Sequence, residues 1–291
     1  MKKYGSFTAV KDLSFDVPEG ALFAFLGENG AGKSTTIGCI TTTLSPTSGT
    51  VRVCGRDVVA DPNEVRRNLG VVFQQSLLDP LLTTRENLSI RARFYGLERR
   101  EAARRIAELS ETVGLEAVLD RRYGVLSGGQ KRRADIARSL VHQPRVIFLD
   151  EPTAGLDPQS REQIWSAIGR LRSEHSTTVF LTTHYMEETE RADRVCIIAR
   201  GEIVAQGTPA ELRSAHSSSV LTVRAADAAS ILSACEKQGL SPEAAGEIIR
   251  IPVDGVDQAK TVLLLPGISD FEFRHGTMDD VFLSLTKESA A

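Results

Sequence analysis

The sequence predicts an α/β protein, a parallel sheet wrapped by helices, followed by a small α+β module. Three observations predict it. Apolar runs at 21–26, 146–149 and 178–181 do not alternate with polar residues, the pattern of parallel strands buried on both faces. Helical patterns lie around them, at 35–44, 84–118, 129–142 and 159–175, so strand and helix alternate as in a sheet with crossover helices. Composition then shifts near residue 215, where Ser214-Ala215-His216-Ser217-Ser218-Ser219 reads as a linker.

The elements follow in order. Residues 15–17 and 21–26 are β-like, and 50–54 is a strand between turn signals. These surround a Gly-rich loop that opens the helix at 35–44. Residues 71–73 form a short buried strand, and 84–118 is helical with long charged stretches. The strands at 146–149 and 178–181 flank the helix at 159–175. Beyond the linker come a strand at 220–224, a helix at 228–238, a strand at 248–253, a helix at 256–264, a strand at 271–274 and an amphipathic helix at 277–285. That is an α+β module of ferredoxin-like order. The expected domains are therefore 1–214 and 215–291. No internal repeat appears.

Composition excludes several classes. The 291 residues are 41% hydrophobic and 25% charged, ordinary for a globular chain large enough to bury a core without disulfides or metals. The net charge of -3 implies no broad basic field, so nucleic acid is not an expected partner. Local basic groups, Arg99-Arg100, Arg104-Arg105, Arg121-Arg122 and Lys131-Arg132-Arg133, read as solvated helix faces. Cys39, Cys54, Cys196 and Cys235 form no CxxC pair, which suits a reducing compartment with thiols as small apolar residues. Met1-Lys2-Lys3-Tyr4-Gly5 has charge and no apolar run behind it, so no secretory signal is expected. The longest apolar stretches, 21–26 and 262–265, fall far short of the roughly 18 residues that span a bilayer.

Gly27-Glu28-Asn29-Gly30-Ala31-Gly32-Lys33-Ser34-Thr35 satisfies G-x-x-x-x-G-K-[ST] between a strand and a helix. Glycines let such a loop curl until successive backbone N–H groups point inward. The helix N-terminus adds partial positive charge where phosphates sit. Lys33 can reach β- and γ-phosphates, Ser34 can ligate Mg²⁺, and Thr35 can hydrogen-bond a phosphate. Because the cradle is mostly backbone, every residue from 27 to 35 counts as binding. The motif identifies a nucleoside triphosphate site and leaves open what the energy does.

The strand at 146–149 ends in Asp150-Glu151. Ligands of a parallel sheet bind beyond its carboxyl ends, which puts Asp150 where it can hold Mg²⁺. Glu151 then suits a general base for water. Two acids after a strand are by themselves a common solvated turn; the phosphate loop turns them into a metal-and-base pair.

Leu126-Ser127-Gly128-Gly129-Gln130, just before that strand, resembles the signature motif of ABC ATPases. The resemblance implies a P-loop ABC nucleotide-binding domain over about residues 4–214, with a parallel-sheet core, an antiparallel β subdomain and a helical subdomain. It implies that Ser127, Gly128, Gly129 and Gln130 meet the γ-phosphate bound on an opposite subunit, so that two cassettes sandwich two ATP molecules head to tail. Gln74 is similar to the family's Q-loop glutamine, Asp157 in Ala154-Gly155-Leu156-Asp157 to the D-loop aspartate that communicates across the dimer, and His184 to the switch histidine beside the γ-phosphate. Tyr4 fits either the aromatic that stacks on adenine or edge-strand packing.

The resemblance narrows to the drug-resistance exporter branch, which includes the daunorubicin-resistance ATPases and works with ABC-2-type membrane subunits. It rests on Tyr4-Gly5-Ser6-Phe7-Thr8-Ala9-Val10, Gln74-Gln75-Ser76-Leu77-Leu78-Asp79-Pro80, Thr83-Thr84-Arg85-Glu86-Asn87-Leu88, Thr182-Thr183-His184-Tyr185-Met186-Glu187-Glu188 and the tail Met278-Asp279-Asp280-Val281-Phe282-Leu283-Ser284-Leu285. Two departures stand out. Glu28 replaces a frequent Pro in a loop that works through its backbone. The helix after His184 is one residue short before Ala192-Asp193-Arg194, a turn of about 100° in helix face.

What the resemblance implies is an ATPase with Glu151, His184 and Gln74 as catalytic residues and Ser34, Gln74 and Asp150 as Mg²⁺ ligands. Its partners are a second cassette and an ABC-2-type permease, at the cytoplasmic face of the membrane. The competing class is a soluble ABC ATPase without a transporter. Members of that class that act in translation carry two cassettes per chain, and DNA-end members insert a long coiled coil before the signature; neither is present here. Import is a further alternative, disfavoured by the small C-terminal module. That module either aids dimerisation or docking, or braces the cassette.

Overall fold

The computed structural model describes residues 1–288. It divides into two compact units, Met1–Gln206 and a second that begins at Gly207.

In the first unit, β1 (Lys2–Tyr4) and β2 (Phe7–Val10) pair antiparallel across a left-handed Gly5. The segment 11–18 carries no strand, contrary to the expectation at 15–17. Phe15 instead packs its ring on Phe23 at 5.5 Å, so its apolar character serves the core and not a ladder. β3 (Leu22–Gly27) is buried along its whole length and leads through the Gly-rich loop into α1 (Lys33–Ile40). That helix ends before residue 44. Thr41 and Thr43 turn their hydroxyls onto the Ile37 and Gly38 carbonyls, at 2.8 and 3.1 Å, and Thr42 is left-handed at φ 63°. Such side-chain bonds compete with helix propagation. The strand expected at 50–54 contracts to β4 (Arg52–Val53), which turns through left-handed Cys54 and Gly55 into β5 (Arg56–Asp57).

Then come α2 (Pro62–Arg67), β6 (Leu69–Val72), α3 (Thr84–Phe94) and α4 (Arg99–Val113). The helical stretch at 84–118 is thus broken, with Gly96 left-handed at φ 77° between its two helices. α5 (Gly128–Leu140), β7 (Val146–Asp150), α6 (Pro158–His175), β8 (Thr178–Thr183), α7 (Met186–Thr189), β9 (Arg194–Ala199) and β10 (Glu202–Gly207) complete the unit.

The main sheet has the order β10-β9-β3-β8-β7-β6. Strands β9, β3, β8, β7 and β6 pair in parallel. Its register levels the carboxyl ends: Leu26 is opposite Thr183, Asp150 opposite Thr182, and Leu149 opposite Val72. Phe23, Phe25, Phe148 and Phe180 form an aromatic core, with Phe180 4.8 Å from Phe148 and 5.1 Å from Phe23. Such offset pairs add to the burial of large rings.

The basic groups read as solvated faces are corrected at three positions. Arg105, Arg132 and Arg133 are buried, at 7, 9 and 8% exposure. Each guanidinium finds an internal acceptor: Arg105 the Leu140 carbonyl, Arg133 the Gln163 amide oxygen, and Arg132 several carbonyls described below. Five fixed donors make arginine the cation best able to satisfy itself inside a protein.

The second unit starts with α8 (Pro209–His216). The expected linker at 214–219 is thus largely structured, its first three residues ending this helix and Ser219 opening the next strand, and the division falls at 206/207 and not 214/215. Ser284 donates to the His216 carbonyl at 2.9 Å, tying it to the C-terminal helix. β11 (Ser219–Ala225), α9 (Ala228–Lys237), β12 (Glu243–Ala245), β13 (Ile248–Val253), α10 (Gly255–Leu263), β14 (Ile268–Arg274) and α11 (Met278–Glu288) follow. The sheet order is β12-β13-β11-β14, antiparallel throughout. Alternate residues Leu221, Val223, Ile249, Ile251 and Val253 are buried with Ile231, Cys235 and Val262, the period-two pattern of a half-covered sheet. The three-residue β12 is absent from the sequence reading.

His142, past the end of α5, stacks on Tyr95 at 3.8 Å and donates from Nε2 to the Leu69 carbonyl at 2.9 Å. Burial, together with nearby Arg91, Arg138 and Arg105, lowers its pKa from 6.5 to about 4. The fold therefore holds it neutral where the unfolded chain takes a proton. Its stabilisation is complete above pH 6.5 and is lost as pH falls from 6.5 towards 4. Replacing His142→Phe is expected to flatten the fall in urea-denaturation stability across that window by up to about 3 kcal/mol.

Candidate functional site

The levelled strand ends gather the site. β3 delivers Gly27, β7 delivers Asp150 and Glu151, β8 delivers His184, and β6 leads to Gln74. The loop between β3 and α1 needs its glycines. Gly30 and Gly32 are left-handed at φ 83° and 108°. A Cβ at Gly32 would lie 2.8 Å from the Ala9 carbonyl, and one at Gly27 2.5 Å from the Ile198 carbonyl. Glu28, Asn29, Gly30 and Ser34 are exposed, Gly32 and Thr35 half-buried, and Ala31 and Lys33 buried. Lys33 Nζ donates to the Gly27 and Glu28 carbonyls at 2.6 and 3.0 Å. Burial lowers its pKa, and the carboxylates of Glu151, Asp150 and Glu28 oppose that shift. A buried cation near two acids, on a glycine loop that opens a helix, suits an anion carrying a metal.

Asp150 Oδ1 accepts from the Thr182 hydroxyl at 2.6 Å. No hydrogen bond among the described residues engages its other oxygen, nor the side chains of Ser34 or Gln74. The three present hard oxygen donors, as Mg²⁺ requires. No cluster of three or more His, Cys, Asp or Glu able to hold a metal occurs among the described residues.

Glu151 is held unusually. Its φ is +47°, in the left-handed region that residues with a Cβ adopt at a cost. Its N–H donates to the Thr182 carbonyl at 3.1 Å and hydroxyl at 3.2 Å. Its Oε1 lies 3.0 Å from His184 Nδ1. His184 is exposed and packs on Tyr185, ring centroids 4.1 Å apart. The carboxylate, the imidazole and the Lys33 cation thus share one sheet edge.

The signature loop is fixed by bonds of its own. Ser127 caps α5 by accepting from Gln130 N at 3.3 Å, while Gln130 Oε1 accepts from Ser127 N at 3.0 Å. No hydrogen bond among the described residues joins Ser127, Gly128, Gly129 or Gln130 to Lys33 or Glu151. A Cβ at Gly129 would lie 2.4 Å from Ser160 Oγ, so glycine is required where α5 meets the start of α6. Asp157 caps α6, both its oxygens taken by Ser160 at 2.9 and 2.6 Å. Those bonds lower its pKa. Tyr4 is half exposed, with the Lys2 ammonium 5.2 Å from its ring centroid. A cavity of about 770 Å³ lined by Phe15, Cys39, Val53 and Phe180 includes none of the candidate site residues.

Sequence reading missed Thr182, which reads as strand filler, and Arg132, hidden in a basic run. It also assigned nothing to Glu188, a buried carboxylate that accepts from Thr153 and ties α7 to the segment after Glu151. For Thr182 the one signal is its register opposite Asp150.

A family model of ABC transporters matches residues 10–154. The daunorubicin/doxorubicin resistance ATP-binding protein DrrA of Streptomyces peucetius is 40% identical over 305 aligned positions, covering 100% of this chain and 91% of that protein. The Nod factor export ATP-binding protein I of Burkholderia orbicola is 38% identical, covering 98% and 94%. Among solved structures, a dimeric post-hydrolysis ATP-binding cassette bound to ADP and Pi aligns with TM-score 0.62 and 31% identity, over 69% of this chain and 90% of that one. CbiO1 of Clostridium perfringens, part of the ABC transporter complex CbiONQ, aligns with TM-score 0.66 and 30% identity, over 70% and 83%.

Thr182 is 1% exposed and serves both acids. Thr182→Val, near-isosteric, removes the hydroxyl that holds Asp150. It is expected to destabilise the nucleotide-free chain by about 1–2 kcal/mol in urea denaturation and to lower ATPase activity.

Proposed function

The chain belongs to the ABC transporter family of ATP-binding, ATP-hydrolysing subunits, and from that premise we propose that it drives an exporter. Two copies close head to tail on two ATP molecules, and a separate ABC-2-type permease carries the substrate.

In each site the amides of residues 27–35 and the Lys33 ammonium bind the β- and γ-phosphates, Lys33 exchanging its carbonyl partners for phosphate oxygens. Ser34, Gln74 and Asp150 would hold Mg²⁺, which when bound supplies positive charge to the phosphate oxygens. Ser127, Gly128, Gly129 and Gln130 of the other copy close over the γ-phosphate, with Asp157 signalling between the copies. Tyr4 stacks on the adenine. Glu151 orients or deprotonates the attacking water, and His184, already 3.0 Å from it, steadies the γ-phosphate as its bond to the β-phosphate oxygen breaks. Solved cassettes similar to this chain are dimeric, which supports a site shared between two copies.

The observation that carries the transport reading is a set of exposed apolar side chains in the stretch of chain that flanks and follows Gln74. Phe73, Leu77, Leu81, Ile90 and Phe94 are exposed, Leu81 and Phe94 at 75 and 78%. Exposed large apolar side chains suit a docking site; Phe73 directly precedes Gln74, and Ile90 and Phe94 lie four residues apart on α3. No helix among the described residues is long and apolar enough to cross a membrane; these exposed side chains are read as the seat of a membrane subunit's coupling helix. The exported substrate, whether drug, lipid or polysaccharide, is then that subunit's choice, and the chain works peripherally at the cytoplasmic face. The C-terminal unit serves dimerisation or docking, or braces the cassette.

Co-expression with the membrane protein encoded beside this chain tests the reading. Co-purification with altered Mg-ATPase activity is expected. Robust ATPase with no complex would move the assignment to a soluble ABC ATPase.

A further inference from the structure

One buried guanidinium gathers the backbone around the catalytic edge. Arg132 donates from Nε to the Pro152 carbonyl at 3.0 Å and from Nη1 to the Phe73 carbonyl at 2.6 Å. From Nη2 it donates to the Asp150 carbonyl and, at 3.0 Å, to the Glu151 carbonyl. Three of these acceptors follow the chain through Glu151, the residue held at φ +47°. The fourth immediately precedes Gln74. A single planar fork therefore fixes the turn that aims the Glu151 carboxylate and the exit of β6 towards the glutamine. Left-handed backbone at a residue with a Cβ persists only where its surroundings over-determine it, and this fork is a large part of those surroundings.

Arg132 also lies on α5, two residues past Gln130 and in the first turns of the helix that Ser127 caps. That helix is joined to the segment after Gln74 a second time, by Ser76 donating to Asp135 at 2.8 Å. Any shift of the signature loop moves the same rigid helix that holds the Glu151 turn.

We infer that Arg132 is a positioning residue for hydrolysis: it sets the backbone that aims Glu151 and links that aim to the helix bearing residues 127–130. The inference rests on the reading of Glu151 as the group that activates water. Arg132 meets backbone carbonyls alone at this edge, so its loss disturbs the turnover step and leaves phosphate binding by Lys33 and the loop amides in place. Lysine keeps the charge without the fork, and methionine keeps much of the volume without either.

The test compares the full-length wild-type chain with Arg132→Lys, Arg132→Met and Glu151→Gln. It measures ATP affinity by calorimetry, kcat and KM for Mg-ATP, and folding by circular dichroism. The expected result for both Arg132 variants is a kcat lower by about 10- to 100-fold, the scale of a misplaced catalytic group, with ATP Kd and KM within about threefold of wild type. A smaller fall in kcat overturns the inference, as does a loss of ATP affinity equal to the loss of kcat. If Arg132→Met does not fold, Arg132→Lys decides by the same criterion; if neither folds, the role is structural and the inference fails. Glu151→Gln separates the two readings. Wild-type turnover in that variant removes the base assignment and the inference with it. An inactive Glu151→Gln beside active Arg132 variants removes the inference alone.

Discussion

The parallel register of the main sheet is the constraint on which the site depends. Leu26 opposite Thr183, Asp150 opposite Thr182 and Val72 opposite Leu149 bring four strands to one level. Each strand then releases its candidate site residue within a step or two of its end. A slip of one residue in β7 would turn Asp150 to the other face of the sheet, because side chains alternate. The aromatic core opposes such a slip, since Phe148 would leave Phe180, its ring partner at 4.8 Å. Packing energy in the core is in this way converted into alignment at the edge.

Alignment alone leaves the edge electrostatically unsettled, with a buried lysine facing two carboxylates. The local answer is a set of short polar ties. Thr182 serves Asp150 and Glu151, His184 meets Glu151, and Arg132 holds the carbonyls beneath them. Lys33 rests on the carbonyls of its own loop, bonds it can exchange for those of a phosphate.

Much of this was legible in the sequence, because the phosphate loop, Asp150-Glu151 and the signature are local patterns whose chemistry depends on neighbours along the chain. The strands at 146–149 and 178–181 were legible for the same reason, as apolar runs that could only be buried. The residues that escaped notice act across the fold. Thr182 is one more β-branched residue until its register with Asp150 is known. Arg132 belongs to a basic run that reads as solvent-facing until α5 is seen to lie over the ends of β6 and β7. Strand β9 shows in the sequence only as a short apolar run behind the charged stretch 187–194, and its pairing with β3 is what identifies it. Conversely, 15–17 looked like a strand because Phe15 and Val17 are apolar, and they turn out to pack without pairing.

The central claim is that catalysis needs the Lys33 edge of one copy and the Ser127–Gln130 loop of another. Mixing two inactive chains tests it most directly, one Lys33→Met and the other Gly129→Asp, each with the second element intact. The account predicts that the mixture regains ATPase activity that neither chain shows alone, because a mixed pair contains one complete site. Activity no greater than the average of the two separate chains, in a mixture shown to form mixed pairs, would contradict a site shared between copies.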